Sequence, residues 1–244
     1  GGKDEFDRLF VDFAPKPLAA ASLGQVHKAK LRETGKPVAV KLQRPFLRQI
    51  YDQDLKFLTG IAEMMDKMPF GNKNVGGVSS SWTKIFNDAE EILYREIDYR
   101  DEADNGVRFS NDFGLGPDGV PVEPVARARN NETLPSAADW LRTPYVYRDI
   151  SNERLLVMEY VPSIKITDTA KLDAANVTAE DKLDLADSLA RAYLRQFCCN
   201  LFFSTDPHPG NLGVEITPSG KPRLVRSEEH TSELQSHSDL VCRL

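Results

Sequence analysis

The sequence predicts an α+β fold with two lobes, and the order and composition of the chain support this prediction. The predicted elements follow one another as hairpin, helices and strands, and then as helix, loop and a second hairpin. The 244 residues are 41% hydrophobic and 28% charged, which is the composition of a globular chain that buries a core. No run approaches the roughly 20 apolar residues that span a bilayer, and collagen and coiled-coil patterns are excluded.

A β-hairpin is predicted first, over residues 18–42. Residues 25–31 can extend, residues 33–37 supply a glycine and a proline for the turn, and residues 38–42 are apolar and β-prone. An amphipathic helix is predicted next, because apolar residues recur at steps of three or four: Leu47, Tyr51, Leu55, Leu58, Ala62 and Met65. We expect this face to pack in the core.

The middle of the chain alternates between loops and regular elements. Residues 70–81 are rich in Gly, Asn and Ser and predict a loop. One long helix is predicted from 82 to about 109, with its apolar side formed by Trp82, Ile85, Ala89 and Leu93. Residues 114–144 have little periodicity and predict an irregular insertion, after which 145–147 and 155–160 predict two short strands.

The last predicted elements are a helix, a proline-rich loop and a β-pair. The helix covers 181–197, and its apolar residues are Leu183, Leu185, Leu189, Tyr193 and Phe197. The loop covers 206–211, and the strands 212–216 and 223–225 flank a turn. From Arg226 to Leu244 the hydrophobic pattern has neither the helical nor the strand period. This segment resembles a translated sequencing adapter. We expect this tail to be non-native and exclude it from fold reasoning.

Charge and cysteine content exclude further classes of protein. The 31 basic and 37 acidic residues leave a net charge of −6, which argues against a nucleic-acid surface. The three cysteines, Cys198, Cys199 and Cys242, do not form a disulfide framework. A reducing compartment is therefore expected.

Lys41 lies inside an apolar predicted strand, where burying an ammonium is costly unless it is paired or binds an anion. Strand alternation also allows an outward-facing, solvated lysine, and this feature alone favours that interpretation. A phosphate-binding lysine would require a helix carboxylate. The following helix offers Glu96, Asp98 and Glu102, of which the last two are four residues apart and share a face. A solvated acidic face is the alternative.

The most informative string is Asp206-Pro-His-Pro-Gly-Asn211. An aspartate followed five residues later by an asparagine is the spacing of a phosphoryl-transfer catalytic loop, in which the aspartate orients the nucleophile and the asparagine binds metal. The prolines would restrict the loop. An ordinary turn has the same residue types, but the apolar helix before the loop and the hairpin after it favour a catalytic loop.

These motifs together resemble the UbiB-type (aarF-domain) atypical kinases. The resemblance covers roughly residues 10–225 and rests on four strings in the family's order: Pro17-Leu-Ala-Ala-Ala-Ser-Leu-Gly-Gln-Val-His27, Glu96-Ile-Asp98-Tyr-Arg-Asp-Glu102, Leu155-Leu-Val-Met158-Glu159-Tyr-Val161 and the loop above. The first is similar to the family's alanine-rich nucleotide loop. The resemblance as a whole implies a protein-kinase-like bilobal fold that binds ATP and Mg²⁺.

The resemblance implies roles for individual residues. Lys41 would hold phosphates, Glu102 would position Lys41, Asp206 would be the catalytic aspartate and Asn211 would bind metal. The implied nucleotide contacts are Ala19, Ala20, Ala21, Ser22, Val26, Ala39, Lys41, Met158, Glu159 and Val161. Glu96 and Asp98 would be regulatory and face the family's N-terminal Lys-x-Gly-Gln element.

The chain also departs from the family pattern. The Lys-x-Gly-Gln element is absent, and Ser204-Thr205 precede the catalytic aspartate where His-Ala is frequent. Residues 155–161 resemble the strand and hinge that hold adenine in the family, and Ser163 replaces the glycine that usually follows this hinge. The tail stands where an Asp-Phe-Gly segment is expected. We therefore expect a kinase-like N-lobe over 1–161, including the 114–144 insertion, a truncated C-lobe over 162–225, and poor catalysis by this polypeptide.

Two functions from different classes follow from the resemblance. The first is an ATPase or phosphotransferase that supports coenzyme Q or related prenylquinone lipid metabolism, in bacteria, mitochondria or plastids. The second is a pseudokinase scaffold that binds nucleotide or lipid without catalysis. Lipids or proteins of the quinone pathway are the implied partners, and peripheral membrane contact is implied by the resemblance alone.

Overall fold

The computed structural model describes residues 2–20, 23–68, 81–125, 132–204, 208–226 and 234–236. The α-helices are α1 (Gly2–Leu9), α2 (Leu47–Asp66), α3 (Trp82–Glu96), α4 (Tyr99–Phe113), α5 (Thr169–Ala174) and α6 (Ala179–Arg195). The strands are β1 (Phe10–Val11), β2 (Ala19–Ala20), β3 (Gly24–Leu31), β4 (Pro37–Gln43), β5 (Leu141–Arg142), β6 (Leu155–Glu159), β7 (Ile164–Lys165), β8 (Phe202–Ser204), β9 (Leu212–Ile216), β10 (Pro222–Arg226) and β11 (Leu234–Ser236).

The N-terminal sheet has the order β1-β3-β4-β6, with β2 paired to β3. The predicted hairpin is confirmed, since β3 and β4 are antiparallel with Val26 opposite Lys41. β4 also pairs with β6, which places Lys41 opposite Leu156. Lys41 is therefore in the middle of a sheet and has a strand on either side.

The second sheet has the order β5-β10-β9-β7. The predicted C-terminal β-pair is confirmed, because β9 and β10 are antiparallel with Leu224 opposite Val214. Leu224 also pairs in parallel with Leu141 of β5, which lies within the predicted insertion. β11, from the predicted tail, pairs with β8. The non-native origin of the tail and the domain boundaries stay predictions.

The face predicted for α2 is buried only in part. Leu47, Leu55 and Ala62 are buried, Tyr51 and Met65 are half-buried, and Leu58 is exposed. The helix packs against α3 rather than deep in the core. The loop predicted at 70–81 lies outside the described residues apart from Ser81, whose hydroxyl accepts the Lys84 N–H and caps α3.

The single long helix predicted from Trp82 to Phe109 is wrong, because the chain leaves helical geometry at Ile97 and Asp98. Asp98 is extended (φ −102°, ψ 101°), and its carboxylate accepts the Arg100 N–H at 3.0 Å as the N-cap of α4. No residue of α3 is fully buried, so its predicted apolar side is at most half-buried.

Two further predictions need correction. Residues 145–147 do not form a regular strand. They make a single bridge between Val146 and Met158 and then enter a 3₁₀ turn at Arg148–Ile150, which ends the pairing. Of the apolar residues predicted for the helix at 181–197, Leu183 is exposed on α6, and Phe197 is exposed in a π-helical turn at Gln196–Asn200 that follows α6. The predicted insertion is largely irregular where described, with a 3₁₀ turn at Pro117–Gly119 and the short β5.

The buried apolar residues form separate clusters, and α4 belongs to two of them. One cluster lies between the N-terminal sheet and the start of α4 and contains Val26, Ala39, Tyr99, Ala103, Val146, Leu156 and Met158. Another surrounds the second sheet and includes Phe109, Phe113, Leu141, Leu185, Val214 and Leu224. Within the described ranges, no helix is both long and apolar enough to cross a membrane.

Candidate functional site

Lys41 and Glu102 form a buried ion pair between β4 and α4. Lys41 Nζ donates to both Glu102 carboxylate oxygens at 2.7 Å. Lys41 is only 7% exposed, so the outward-facing interpretation of this strand lysine is excluded. Of the three helix carboxylates that the sequence offered, the structure brings Glu102 to the lysine.

Local structure explains why Glu102 reaches this position. It lies in the first turn of α4, where the helix dipole favours a carboxylate. Burial raises the pKa of the Glu102 carboxyl, and the adjacent Lys41 ammonium opposes that rise. A buried charge of either sign would be costly alone, so the two groups depend on each other.

The strand face that carries Lys41 also carries several of the predicted nucleotide contacts. Ala39 is two residues from Lys41 and therefore shares its face, and it lies opposite Met158. Val26 lies directly opposite Lys41, and both Val26 and Ala39 are buried. These residues form an apolar floor beside the ion pair.

The alanine-rich segment lies along the start of β3. Ala19 pairs with Val26 and Ala20 pairs with Gln25, which makes β2 a short extension of the sheet. Ala21 and Ser22 lie outside the described residues. The described part of the segment is therefore adjacent to Lys41's cross-strand neighbour.

Tyr99 is a residue of this region that sequence reasoning missed. Its ring centroid is 4.9 Å from Lys41 Nζ, and it is 2% exposed. Its hydroxyl has no hydrogen-bond partner among the described residues. Burial raises the pKa of the Tyr99 phenol, so the group stays protonated. The sequence did contain one signal for Tyr99: it precedes Glu102 by three residues and therefore shares its helix face.

The hinge residues Met158 to Val161 follow β6, and the Glu159 side chain has partners of its own. Its carboxylate accepts from Arg142 Nη2 at 2.5 Å and from the Tyr145 N–H at 3.3 Å. The Glu159 backbone N–H also donates, to the Tyr145 carbonyl at 2.8 Å. Neither the carboxylate nor the N–H of Glu159 is therefore left for the predicted nucleotide contact.

The Glu159–Arg142 pair continues into the second sheet. Arg142 Nη1 donates to Glu215 Oε1 at 2.7 Å, and Arg223 Nη2 donates to Glu215 Oε2 at 2.7 Å. The four side chains are between 9% and 15% exposed. Sequence reasoning missed this network because its members come from four different strands.

Asn211 ends a 3₁₀ turn at Pro209–Asn211, directly before β9. It is 7% exposed, and its Oδ1 has no partner in the part of the chain that the structure describes. A free buried amide oxygen fits the preference of Mg²⁺ for oxygen ligands. Asp206 lies outside the described residues. Across the described ranges, no group of three or more His, Cys, Asp or Glu residues is placed to hold a metal.

The predicted regulatory residues lie at the junction of α3 and α4. Asp98 caps α4, and both of its carboxylate oxygens also accept from the Arg100 guanidinium. The hydrogen bond from Arg100 lowers the pKa of the Asp98 carboxyl. Burial raises the pKa of the Tyr51 phenol, and the negative charge of Glu96 raises it further. Their regulatory role stays a prediction.

An α+β domain whose strand lysine pairs with a helix glutamate beside a hinge strand is a kinase-like domain. A family model described as "ABC1 atypical kinase-like domain" matches residues 2–226. The chain belongs to this atypical kinase family, and its kinase-like fold is thereby established.

Similar proteins come from plants and bacteria. The chain is 38% identical to "Protein ACTIVITY OF BC1 COMPLEX KINASE 7, chloroplastic" of Arabidopsis thaliana, over 86% of this chain and 26% of that protein. It is 29% identical to "Probable protein kinase UbiB" of Vibrio atlanticus, over 92% of this chain and 36% of that protein. The chain thus spans about a quarter to a third of these relatives.

Among solved structures, Rad53 residues 1–466 in complex with AMP-PNP match with a TM-score of 0.37 and 13% identity. The match covers 91% of this chain and 38% of that one.

Proposed function

We propose that the chain binds ATP and forms the nucleotide-binding part of an atypical kinase or ATPase. The observation that carries the proposal is the buried Lys41–Glu102 pair, with Nζ 2.7 Å from both carboxylate oxygens. A lysine fixed in this way offers its remaining ammonium proton to an anion, and a nucleotide phosphate has the matching charge. The apolar floor of Val26, Ala39 and Met158 suits an adenine ring.

Each remaining residue has a task in this proposal. Ala19 to Ser22 cover the nucleotide, and the backbone of Met158 to Val161 binds the adenine edge. Asn211 and Asp206 bring oxygen atoms to the end of the triphosphate, where Asn211 would hold Mg²⁺. Bound Mg²⁺ would neutralise charge on the phosphate oxygens. Asp206 accepts the proton of the attacking hydroxyl or water as the bond to the ADP leaving group breaks.

The biological setting is proposed from the family resemblance. We place the whole protein in coenzyme Q or prenylquinone lipid metabolism, because the motifs resemble those of the UbiB-type kinases. Plastids, bacteria and mitochondria are the proposed locations, and chloroplastic and bacterial proteins are among the relatives. Quinone-pathway lipids or proteins are the proposed partners.

A pseudokinase scaffold is the second candidate, and the alanine-rich segment favours it. Ala19 is packed against the apolar cluster beside Tyr99, so this segment lies close to the sheet. Alanine allows less backbone freedom than glycine and would limit how the segment follows a moving phosphate.

The ion pair predicts the effect of removing Lys41. With the 244-residue chain, Lys41→Met should weaken ATP binding at least about tenfold, because a hydrogen bond to a charged group contributes roughly 1.5–3 kcal/mol. Titration calorimetry with Mg·ATP measures this. Lys30→Met is the matched control, since Lys30 lies in the same sheet in an exposed pair with Asp12. Lys41→Met with Glu102→Gln avoids leaving an unpaired buried carboxylate.

Absence of saturable ATP binding by the unaltered chain, or equal affinity in the Lys41 variants, would contradict the proposal. Turnover of a full-length version, which would include the expected Asp-Phe-Gly segment, separates the two candidate functions. An enzyme should release phosphate from Mg·ATP and lose that activity in Asp206→Asn. A scaffold should bind ATP with equal background turnover in both proteins.

A further inference from the structure

The Tyr99 hydroxyl is a buried polar group that the proposed nucleotide site has not yet used. Tyr99 is 2% exposed, and its hydroxyl has no hydrogen-bond partner among the described residues. Most buried polar side-chain atoms in proteins are paired, so an unpaired hydroxyl calls for an explanation. A phenylalanine would fill nearly the same volume without that penalty.

The position of the hydroxyl is set by the elements around it. Tyr99 is the first residue of α4, and its backbone N–H donates to the Glu153 carbonyl at 3.1 Å. The start of the helix is therefore attached to the turn before β6. The aromatic ring lies 4.9 Å from Lys41 Nζ, which places it beside the ammonium that pairs with Glu102.

The hydroxyl also meets the strand that follows the alanine-rich segment. A Cβ at Gly24, the first residue of β3, would lie 2.3 Å from the Tyr99 hydroxyl oxygen and 2.6 Å from the Leu42 carbonyl oxygen. The absence of a side chain at Gly24 is what leaves room for the hydroxyl. The Tyr99 side chain thus has its ring beside Lys41 and its hydroxyl against Gly24, close to the segment proposed to cover the nucleotide.

The Glu102 carboxylate is already engaged. Both Glu102 carboxylate oxygens accept from Lys41. The Tyr99 phenol is protonated, so it has a hydrogen to donate, and an oxyanion is the acceptor that a buried donor binds most strongly. Lys41 is proposed to draw such an anion to the same place.

We propose that the Tyr99 hydroxyl donates a hydrogen bond to a phosphate oxygen of the bound nucleotide, adjacent to the oxygen bound by Lys41. This inference rests on the proposed function and adds a phosphate-binding residue to it. It also explains Gly24, since any larger residue would displace the hydroxyl. The recognised chemistry is the phosphate, so ATP and ADP should depend on Tyr99, whereas adenosine should not.

The test compares the unaltered chain with Tyr99→Phe and Tyr94→Phe, by calorimetric titration with ATP, ADP and adenosine. Tyr99→Phe should weaken ATP binding about tenfold or more and leave adenosine binding unchanged. Its melting temperature without nucleotide should be equal or higher, because only an unpaired hydroxyl is lost. Tyr94→Phe is the control. That hydroxyl donates to Asp52 on the α2–α3 surface, and its loss should not change any nucleotide affinity.

The outcomes separate this inference from the proposed function. If Tyr99→Phe binds ATP as the unaltered chain does, while Lys41→Met binds it more weakly, Tyr99 is a packing residue and this inference alone fails. An equal loss of ATP and adenosine affinity in Tyr99→Phe also overturns it, since the effect would not depend on phosphate. If the unaltered chain binds no ATP, the proposed function and this inference both fail.

Discussion

Arg142 joins the two sheets through a planar guanidinium that binds a carboxylate on each side. Glu159 belongs to the N-terminal sheet and Glu215 to the second sheet, and Arg142 contacts both through separate nitrogens. The geometry suits arginine and not lysine, because it needs a rigid fork of donors. Removal of the arginine would leave the buried Glu159 carboxylate without its ionic partner, whereas Glu215 would keep Arg223.

Arg142→Met is expected to lower the free energy of unfolding by about 3–5 kcal/mol, the typical cost of removing one partner of a buried ion pair. Arg148→Met is the control, since its pair with Asp104 is 39% and 60% exposed and should contribute no more than about 1 kcal/mol. Urea denaturation of the three proteins measures the difference. Equal stabilities of the two variants would show that the buried network is not stabilising.

The same residues show which parts of the site the sequence predicts. Lys41 was predicted from its position in an apolar strand, and Glu102 from the Glu96–Glu102 motif. The structure confirms that the two side chains form an ion pair. Glu159 was predicted as a nucleotide contact, but its carboxylate binds Arg142. The unpaired state of Tyr99 depends on Gly24 and on the sheet above it, and no local pattern encodes those neighbours.

The junction between α3 and α4 determines where Glu102 lies relative to the N-terminal sheet. Gln43 Nε2 donates to the Ile97 carbonyl at 2.5 Å, and the Tyr99 N–H donates to the Glu153 carbonyl. Asp98 supplies the cap between these two attachments. The break is therefore held by one contact to β4 and one to the turn before β6.

The cap predicts a pH-dependent contribution from Asp98. Asp98→Ala should cost about 1 kcal/mol, whereas Asp98→Asn keeps a capping oxygen and should cost less. The hydrogen bond from Arg100 lowers the pKa of Asp98 in the folded chain. The charge-dependent part of its stabilisation is thus present above pH ~4 and is lost as the pH falls through the folded pKa.

Thermal unfolding from pH 3 to pH 7 measures this effect. The stability difference between the unaltered chain and Asp98→Asn should shrink toward the acidic end. Asp101→Ala, in the same helical turn, is the control and should change stability by no more than about 0.5 kcal/mol. A stability difference between the unaltered chain and the Asp98→Asn variant that stays constant with pH would contradict the assignment.

The break between α3 and α4 could not be predicted from the sequence, whereas the β3–β4 hairpin could. A turn with glycine and proline separates two β-prone runs, and β3 and β4 form there. Neither glycine nor proline interrupts residues 93–102, so the local sequence favours one helix. Hydrogen bonds from Gln43 and to Glu153, distant in sequence, decide the outcome.

At the scale of the whole molecule, the α2–α3 pair buries far less of its surface than the two sheets do. α3 has no fully buried residue, and large apolar side chains on the pair are exposed: Ile50, Phe57, Met64, Ile85 and Ile92. The sheets, in contrast, contain runs of buried residues, such as residues 38–41 of β4. Residues 137–141, predicted as part of the first lobe, pack in the cluster around the second sheet.

Hydrogen–deuterium exchange should reflect this difference. Amides of α3 are expected to exchange faster than those of β4, because local opening costs little where few apolar contacts are lost. α6 is the internal comparison, since it is a surface helix that does bury Leu185 and Ala192. Mass spectrometry of peptic peptides measures the rates. Protection of α3 equal to that of β4 would contradict this ranking.

The participation of α4 in two apolar clusters has a consequence for kinetics. A rigid rotation that separated Glu102 from Lys41 would also withdraw Phe109 and Phe113 from around the second sheet. Exposing them costs about 1.5–3 kcal/mol each, so the separated conformer would be populated at less than roughly one part in a hundred. The ammonium is therefore preorganised before a ligand arrives, and ligand association should proceed without a slow conformational phase.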